Sequence, residues 1–207
     1  TKDKLFSIIA HDLKSPFNII LGSSGLLIEY LKEFDVDKTE KYLGYINSSA
    51  RETLTLLDNL LNWTKSQTGQ IKFNPKILHL SSIIQTILKS SYSLAKIKNI
   101  SLNYIQAMDV EIYSDENMLK TILRNLISNA LKFTNSGGNI DVSVESNQGC
   151  VEISVSDNGV GIDNEKLKKL FDLSVDISTS GTSDEKGSGL GLVLCKEFID
   201  KLGGRIL

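Results

Sequence analysis

The sequence is short of the features that mark specialised chains. It has two cysteines in 207 residues, Cys150 and Cys195. They lie far apart, fit no metal-ligand spacing and fall within apolar patterns, which argues against a disulfide or a ligand pair. Two buried free thiols are expected, as in a reducing compartment. No run approaches the ~18 continuous apolar residues of a membrane span, and Thr1-Lys2-Asp3-Lys4 does not read as a signal peptide. This segment is therefore expected to be cytoplasmic and to make no direct membrane contact, whether or not a longer protein around it is anchored. Charge of one sign is missing too. Lys+Arg 23 against Asp+Glu 25 leave a net charge of -2, which removes the electrostatic case for a nucleic-acid partner or an anionic membrane. No internal repeat or low-complexity tract interrupts the chain.

What is present is an ordinary globular composition, 41% hydrophobic and 23% charged, long enough for two small domains. From Leu5 to Leu31, apolar residues recur at helical spacing through Ile8, Ile9, Leu13, Phe17, Ile20, Leu21, Leu27 and Ile28. A second run carries Tyr42, Ile46, Ala50, Leu57, Leu60 and Leu61 and stops near Thr68-Gly69. The short connection Phe34-Asp35-Val36-Asp37 makes these an antiparallel hairpin over residues 1–68. Such a stripe needs cover. A second copy completing a four-helix bundle is the first expectation, and packing on the following domain is the alternative.

After a linker at 69–76, residues 77–207 change character to short alternating segments between helices. A helix capped by Ser81 or Ser82 is expected to reach about Lys96, followed by a strand over Ile100 to Ile105. Leu119 to Phe133 reads as a helix, and Ile140 to Val155 as a hairpin turning at Asn147-Gln148-Gly149. A last helix begins near Leu190 and is closed by Gly203-Gly204. The class is α+β, with an antiparallel or mixed sheet. Both ends read as cut, since the first helix is already under way and a strand is expected to begin at Arg205-Ile206-Leu207.

Four blocks carry chemistry. His11 lies on the first helix beside Asp12, whose carboxylate can accept from one ring nitrogen and leave the other as a nucleophile. Pro16 has no N–H for the carbonyl of Asp12, so the helix is expected to loosen or bend there. Lys14 and Ser15 add a cation and a hydroxyl. Further on, Asn125, Asn129 and Lys132 share one helix face. Paired amide oxygens suit a Mg²⁺ that keeps several waters, and the lysine suits phosphate. Asp157-Asn158-Gly159-Val160-Gly161 puts a carboxylate at a strand end, expected to be buried, with glycines where the chain turns. Gly187-Ser188-Gly189-Leu190-Gly191 opens the last helix, where N–H groups and the helix dipole favour anions. No strand of dinucleotide-binding type precedes it. His79, in an apolar stretch, reads as structural.

Taken in order, Phe6-Ser7-Ile8-Ile9-Ala10-His11-Asp12-Leu13-Lys14-Ser15-Pro16, Asn125-Leu126-Ile127-Ser128-Asn129-Ala130 and the two glycine blocks resemble the catalytic core of the sensor histidine kinases over nearly the whole chain. The resemblance implies a dimeric phosphoacceptor hairpin followed by an α/β-sandwich ATP-binding domain of the Bergerat type. It implies ATP and Mg²⁺ as cofactors, autophosphorylation of His11, and transfer to an aspartate of a response-regulator receiver domain. It assigns Mg²⁺ to Asn129, support or catalysis to Asn125, phosphate to Lys132 and adenine to Asp157. Further nucleotide contacts fall to Phe133, Gly159, Gly161, Gly187, Gly189, Leu190 and Gly191. Ser15 stands where the family commonly has Thr or Asn. Leu170-Phe171-Asp172-Leu173 only partly matches the phenylalanine-rich segment before the lid, which is expected over 174–185. Two rivals are an ATPase of the same nucleotide fold in the chaperone or DNA-repair groups, which lacks a histidine hairpin in front, and a non-catalytic dimeric nucleotide sensor with His11 idle.

Overall fold

The computed structural model describes residues 2–70, 72–106, 109–147, 149–171, 181–182 and 189–207, the side chains of 2–9, 11, 106 and 147 excepted. The chain divides into two compact units, 1–70 and 71–207.

The first unit is a pair of packed helices, α1 (Lys2–Tyr30) and α2 (Val36–Gln67). Pro16 is buried within α1, and the helix runs through it without a break. It is tolerated because its missing N–H removes one bond from a ladder that many others hold. At the bend, Phe34 stacks on Tyr30 and Tyr42 with ring centroids 5.9 and 5.4 Å apart, and the Lys38 ammonium sits 5.8 Å from its centroid. Asp35 caps α2 by accepting from the Lys38 N–H at 2.8 Å, a bond worth about 1 kcal/mol. The cap starts α2 six residues ahead of the first periodic residue, Tyr42. Inside the hairpin lie Pro16, Ser23, Ser49 and Leu56. Large apolar side chains remain outside: Leu21 is 66% exposed, Ile28 82% and Leu61 48%.

The second unit runs β1 (Lys76–His79), α3 (Leu80–Ile97), β2 (Ser101–Gln106), β3 (Glu111–Ser114), α4 (Glu116–Phe133), β4 (Asn139–Asn147), β5 (Cys150–Asp157), α5 (Asn164–Leu167) and α6 (Leu190–Lys201). The larger sheet is mixed. β2 runs parallel to β4 with Ser101 opposite Asn139, and β4 runs antiparallel to β5 with Ile140 opposite Asp157. A separate two-stranded ladder joins β1 to β3. Helices α3 and α4 share one core with the sheet, built from Leu80, Ile84, Ile87 and Leu88, from Leu123, Ile127, Ala130 and Leu131, and from Ile140, Val142 and Val144. Each of these Leu, Ile and Val side chains taken out of water contributes about 1.5–3 kcal/mol before entropy is counted. α6 packs on α4 as well, burying Leu190, Val193, Leu194, Cys195 and Phe198.

Several expectations need correction. β3 is an added strand, too short to show a period. The helix after β1 begins at Leu80, with no side-chain cap from serine. Leu80 is fully buried and its N–H goes to the Val110 carbonyl at 3.0 Å, while the Ser81 hydroxyl donates to Asp109. Residues 204–207 join no strand. Gln148 lies outside the described residues. Cys150 is exposed rather than buried. It shares the outward phase of Glu152 and Ser154 on β5, whereas Val151, Ile153 and Val155 point to the core. Cys195 is buried, and burial pushes its thiol up to about 12. Thiolate is the reactive form. In the folded protein at pH 8, iodoacetamide is therefore expected to label Cys150 alone, with a second label appearing only in denaturant; mass spectrometry of the tryptic peptides decides it, and rapid native labelling of Cys195 would refute it.

Candidate functional site

The site is built on α4, whose two ends are fixed differently. At the start, the buried Asp115 carboxylate accepts from the N–H groups of Asn117 and Met118 at 2.9 and 3.1 Å, and from that of Asn74 at 2.9 Å. In the first turn, hydrogen bonds from Lys120 and Lys76 hold the Glu116 carboxyl down at about 2, an acid favourably placed at the positive end of the helix dipole. At the far end, fully buried Thr134 returns its hydroxyl to the Ala130 carbonyl at 2.7 Å.

Asn125, Asn129, Lys132 and Phe133 are all half-buried on this helix. The Asn125 amide donates to the Thr121 carbonyl at 3.1 Å, which leaves its oxygen turned away from its own helix backbone. The Lys132 ammonium lies 4.8 Å from the Phe133 ring centroid. From Asn125 to Phe133 the helix rises about 12 Å, at 1.5 Å per residue.

Both glycine loops reach this stretch of helix, one at each end. Val160 donates its N–H to the Phe133 carbonyl at 3.1 Å. Gly159 passes so close that a Cβ there would stand 2.2 Å from that same oxygen, so only glycine fits. Eight residues back along α4, a Cβ on Gly191 would stand 2.8 Å from the Asn125 Oδ1. The glycine at the start of α6 thus lets one helix approach the amide on another. Cys195, one turn further, makes a long contact with the Ile122 carbonyl at 3.8 Å and lies within hydrogen-bonding reach of Asn125. Gly161 and Gly189 hold φ of 69° and 65°, and Leu190 is buried.

The loop after β5 is braced to the sheet, because the Asn158 side chain accepts the Asn139 N–H at 2.8 Å. Asp157 is exposed, not buried as expected. It ends an outer strand of the sheet, where a carboxylate keeps its water, and one oxygen accepts the Gly159 N–H at 2.9 Å. In the first unit, His11 and Asp12 lie within α1, Asp12 and Ser15 are half-buried, and Lys14 is exposed. The His11 side chain, Gly187 and the expected lid, apart from residues 181 and 182, lie outside the described residues. Phe171 is half-buried in a turn, and exposed His79 faces Asp109 and Glu111 at 3.3 and 3.4 Å, consistent with a structural histidine. An open groove lined by Tyr92, Lys96, Asn99 and Gly138 carries none of the predicted site residues.

Sequence reasoning missed Asn158 and Cys195 as supports of this face, and it missed Lys98 and Thr182. Lys98 donates to the Leu131 carbonyl at 2.8 Å and to the Thr182 hydroxyl oxygen at 2.9 Å. A cation just past a helix end was the available signal for Lys98; nothing in the sequence singles out Thr182.

A helical hairpin ahead of an α/β unit, with two glycine loops set on a helix bearing Asn125, Asn129 and Lys132, defines a class: a nucleotide-site domain joined to a histidine-bearing hairpin. Two family models match. The His Kinase A (phospho-acceptor) domain covers residues 1–69, and the histidine kinase-, DNA gyrase B-, and HSP90-like ATPase covers residues 114–207. The chain is 31% identical over 209 residues to an uncharacterized sensor-like histidine kinase of Rhizobium meliloti, the match taking in 99% of this chain and 39% of that protein. It is also 31% identical over 216 residues to the hybrid signal transduction protein dokA of Dictyostelium discoideum, across 99% of this chain and 13% of that one. The chain thus spans well under half the length of these relatives. Among solved structures, histidine kinase ThkA in complex with response regulator protein TrrA matches in fold with a TM-score of 0.69 at 23% identity, covering 96% of this chain and 55% of that one. The chain belongs to the sensor histidine kinases of two-component systems.

Gly159→Ala forces the Phe133 carbonyl to move. The substitution is expected to destabilise the second unit by about 1–3 kcal/mol, read as a lowered urea midpoint, whereas Gly149→Ala on the far hairpin, with open space around its Cβ, carries only the milder strain of its backbone angle. Equal midpoints for Gly159→Ala and the unaltered protein would overturn the packing argument.

Proposed function

We propose that this chain is the kinase core that moves the γ-phosphate of ATP to His11 and from there to an aspartate of a response-regulator receiver domain. The observation that carries the reading is that the two glycine blocks meet α4 at either end of the stretch bearing Asn125, Asn129, Lys132 and Phe133, the Asp157–Gly161 loop at the Phe133 carbonyl and Gly191 at the Asn125 amide. In this reading Asp157 takes the adenine, Lys132 a phosphate oxygen, and the helix-opening N–H groups of α6, near Asn125, further phosphate oxygens. Two amide oxygens four residues apart are hard, neutral donors that fit Mg²⁺, with Asn129 the principal ligand and Asn125 beside it. When bound, the cation offsets phosphate charge.

The remaining steps belong to side chains. In this reading the Asp12 carboxylate would accept from one ring nitrogen of His11, freeing the lone pair of the other to attack the γ-phosphorus. A P–N bond forms as the bond to the bridging oxygen breaks, and ADP departs. The proton on the opposite ring nitrogen stays hydrogen-bonded to Asp12. Lys14 and Ser15 offer a cation and a hydroxyl to the phosphate oxygens. In this reading, residues 1–68 form the phosphoacceptor hairpin, 69–76 a hinge and 77–207 the ATP-binding domain. The apolar residues left outside the hairpin, Phe17, Leu21, Ile28, Leu57 and Leu61, are covered by a second copy in a homodimer. The complex of ThkA with response regulator protein TrrA supports a receiver-domain partner.

Label from γ-labelled ATP with Mg²⁺ is expected to enter the protein in an acid-labile, alkali-stable bond and to vanish in His11→Gln. Label that survives that substitution would refute the kinase reading. In sedimentation equilibrium the chain is expected to run as a dimer, with Leu21→Glu and Leu61→Glu shifting it toward monomer; a monomeric parent protein would refute the bundle.

A further inference from the structure

The last carbonyls of a helix have no partner within it and must find donors elsewhere. At the end of α4 those donors come from two distant points of the chain. Lys98, just beyond α3, places its ammonium 2.8 Å from the Leu131 carbonyl and 3.4 Å from that of Lys132. Thr182 gives its N–H to the Lys132 carbonyl at 3.0 Å. Its hydroxyl lies 3.1 Å from the Lys132 carbonyl and 2.9 Å from that of Thr134. The single hydroxyl proton serves one of these oxygens at a time, while the hydroxyl oxygen accepts from Lys98 at 2.9 Å. Thr182 is half-buried, so these bonds are partly shielded from water. On its other side the same turn is held through the bond from Val160 to Phe133.

We infer that Thr182, held by Lys98, is a positioning residue for phosphate recognition by this site: it clamps the main chain of Lys132 and so sets where the Lys132 ammonium stands. The inference rests on the ATP reading above and adds to it a residue that does not touch the nucleotide. A helix turn fixed from two sides keeps its side chains in place before the ligand arrives, which lowers the ordering that binding has to impose. Losing the hydroxyl leaves the Thr134 carbonyl short of a donor and takes from Lys98 one of the oxygens that hold it, which loosens the last turn although the Thr182 N–H still serves the Lys132 carbonyl. The adenine end, carried by the loop after β5, is tied to the same turn through Val160 but keeps a second brace from Asn158 to Asn139, and so loses less.

The test is binding by the purified chain, comparing ATP with adenosine. Thr182→Val, nearly isosteric but without the hydroxyl, is expected to weaken ATP binding on the order of tenfold, the scale of one lost hydrogen bond between shielded partners, while lowering adenosine affinity by clearly less. Thr182→Ser restores ATP binding, and Lys98→Met repeats the Thr182→Val loss. In turnover, KM for ATP rises and kcat holds. Amide exchange in the ligand-free protein reads the clamp directly: the Thr182 N–H is protected in the parent and exposed in Lys98→Met. ATP affinity unchanged in Thr182→Val, an equal loss for adenosine, or failure of Thr182→Ser to restore binding overturns the inference alone. If the unaltered protein binds no ATP, the functional reading falls and the inference with it. Should Thr182→Val fail to fold, Lys98→Met decides by the same two ligands.

Discussion

The constraint on which the second unit depends is that α4 must be packed on two sides and still present a polar face. Its Leu123, Ile127, Ala130 and Leu131 enter the core with α3 and β4, and α6 lies against it elsewhere. A single helix can satisfy both neighbours only if its polar residues keep to the remaining side, as Asn117, Thr121, Arg124 and Ser128 do together with Asn125, Asn129 and Lys132. Everything proposed for nucleotide chemistry hangs on side chains whose backbone is fixed by apolar packing and by capping bonds at both helix ends. Precision at the site is borrowed from the core.

The glycine blocks take on a different meaning in this setting. Read as motifs, their glycines free the backbone for phosphates. In the structure, two of them first serve protein packing: Gly159 makes room for the Phe133 carbonyl and Gly191 for the Asn125 amide. The two roles are compatible, because a loop that must touch α4 closely is thereby held in register with the residues on it. Substitutions there would disturb protein packing and ligand contacts together, and binding measurements alone would not separate the two.

Much of this was legible in the residues themselves. The hairpin, α4, the β4–β5 pair and α6 carry clear periods of 3.6 or 2, and the four motif blocks are contiguous in sequence. What escaped lay in pairings between distant segments. β3 has four residues and acquires its identity only by lying beside β1. Thr182 acquires its role from Lys98, 84 positions away. Cys150 lies in an apolar neighbourhood, and only its phase, counted in twos from Val151, puts it outside. Asp157 stands at the end of an outer strand, where a carboxylate stays hydrated whatever ligand it serves.

The parallel pairing of β2 with β4 has a kinetic consequence. Ser101 lies opposite Asn139, with β3 and α4 in the chain between them. Contacts of this separation carry a large loop-closure cost and slow folding, whereas those around Tyr30, Phe34 and Tyr42 are local and fast. The hairpin therefore assembles ahead of the α/β unit, and does so first during synthesis because it is made first. Its apolar flank is thus exposed to solvent while the rest of the chain is still folding.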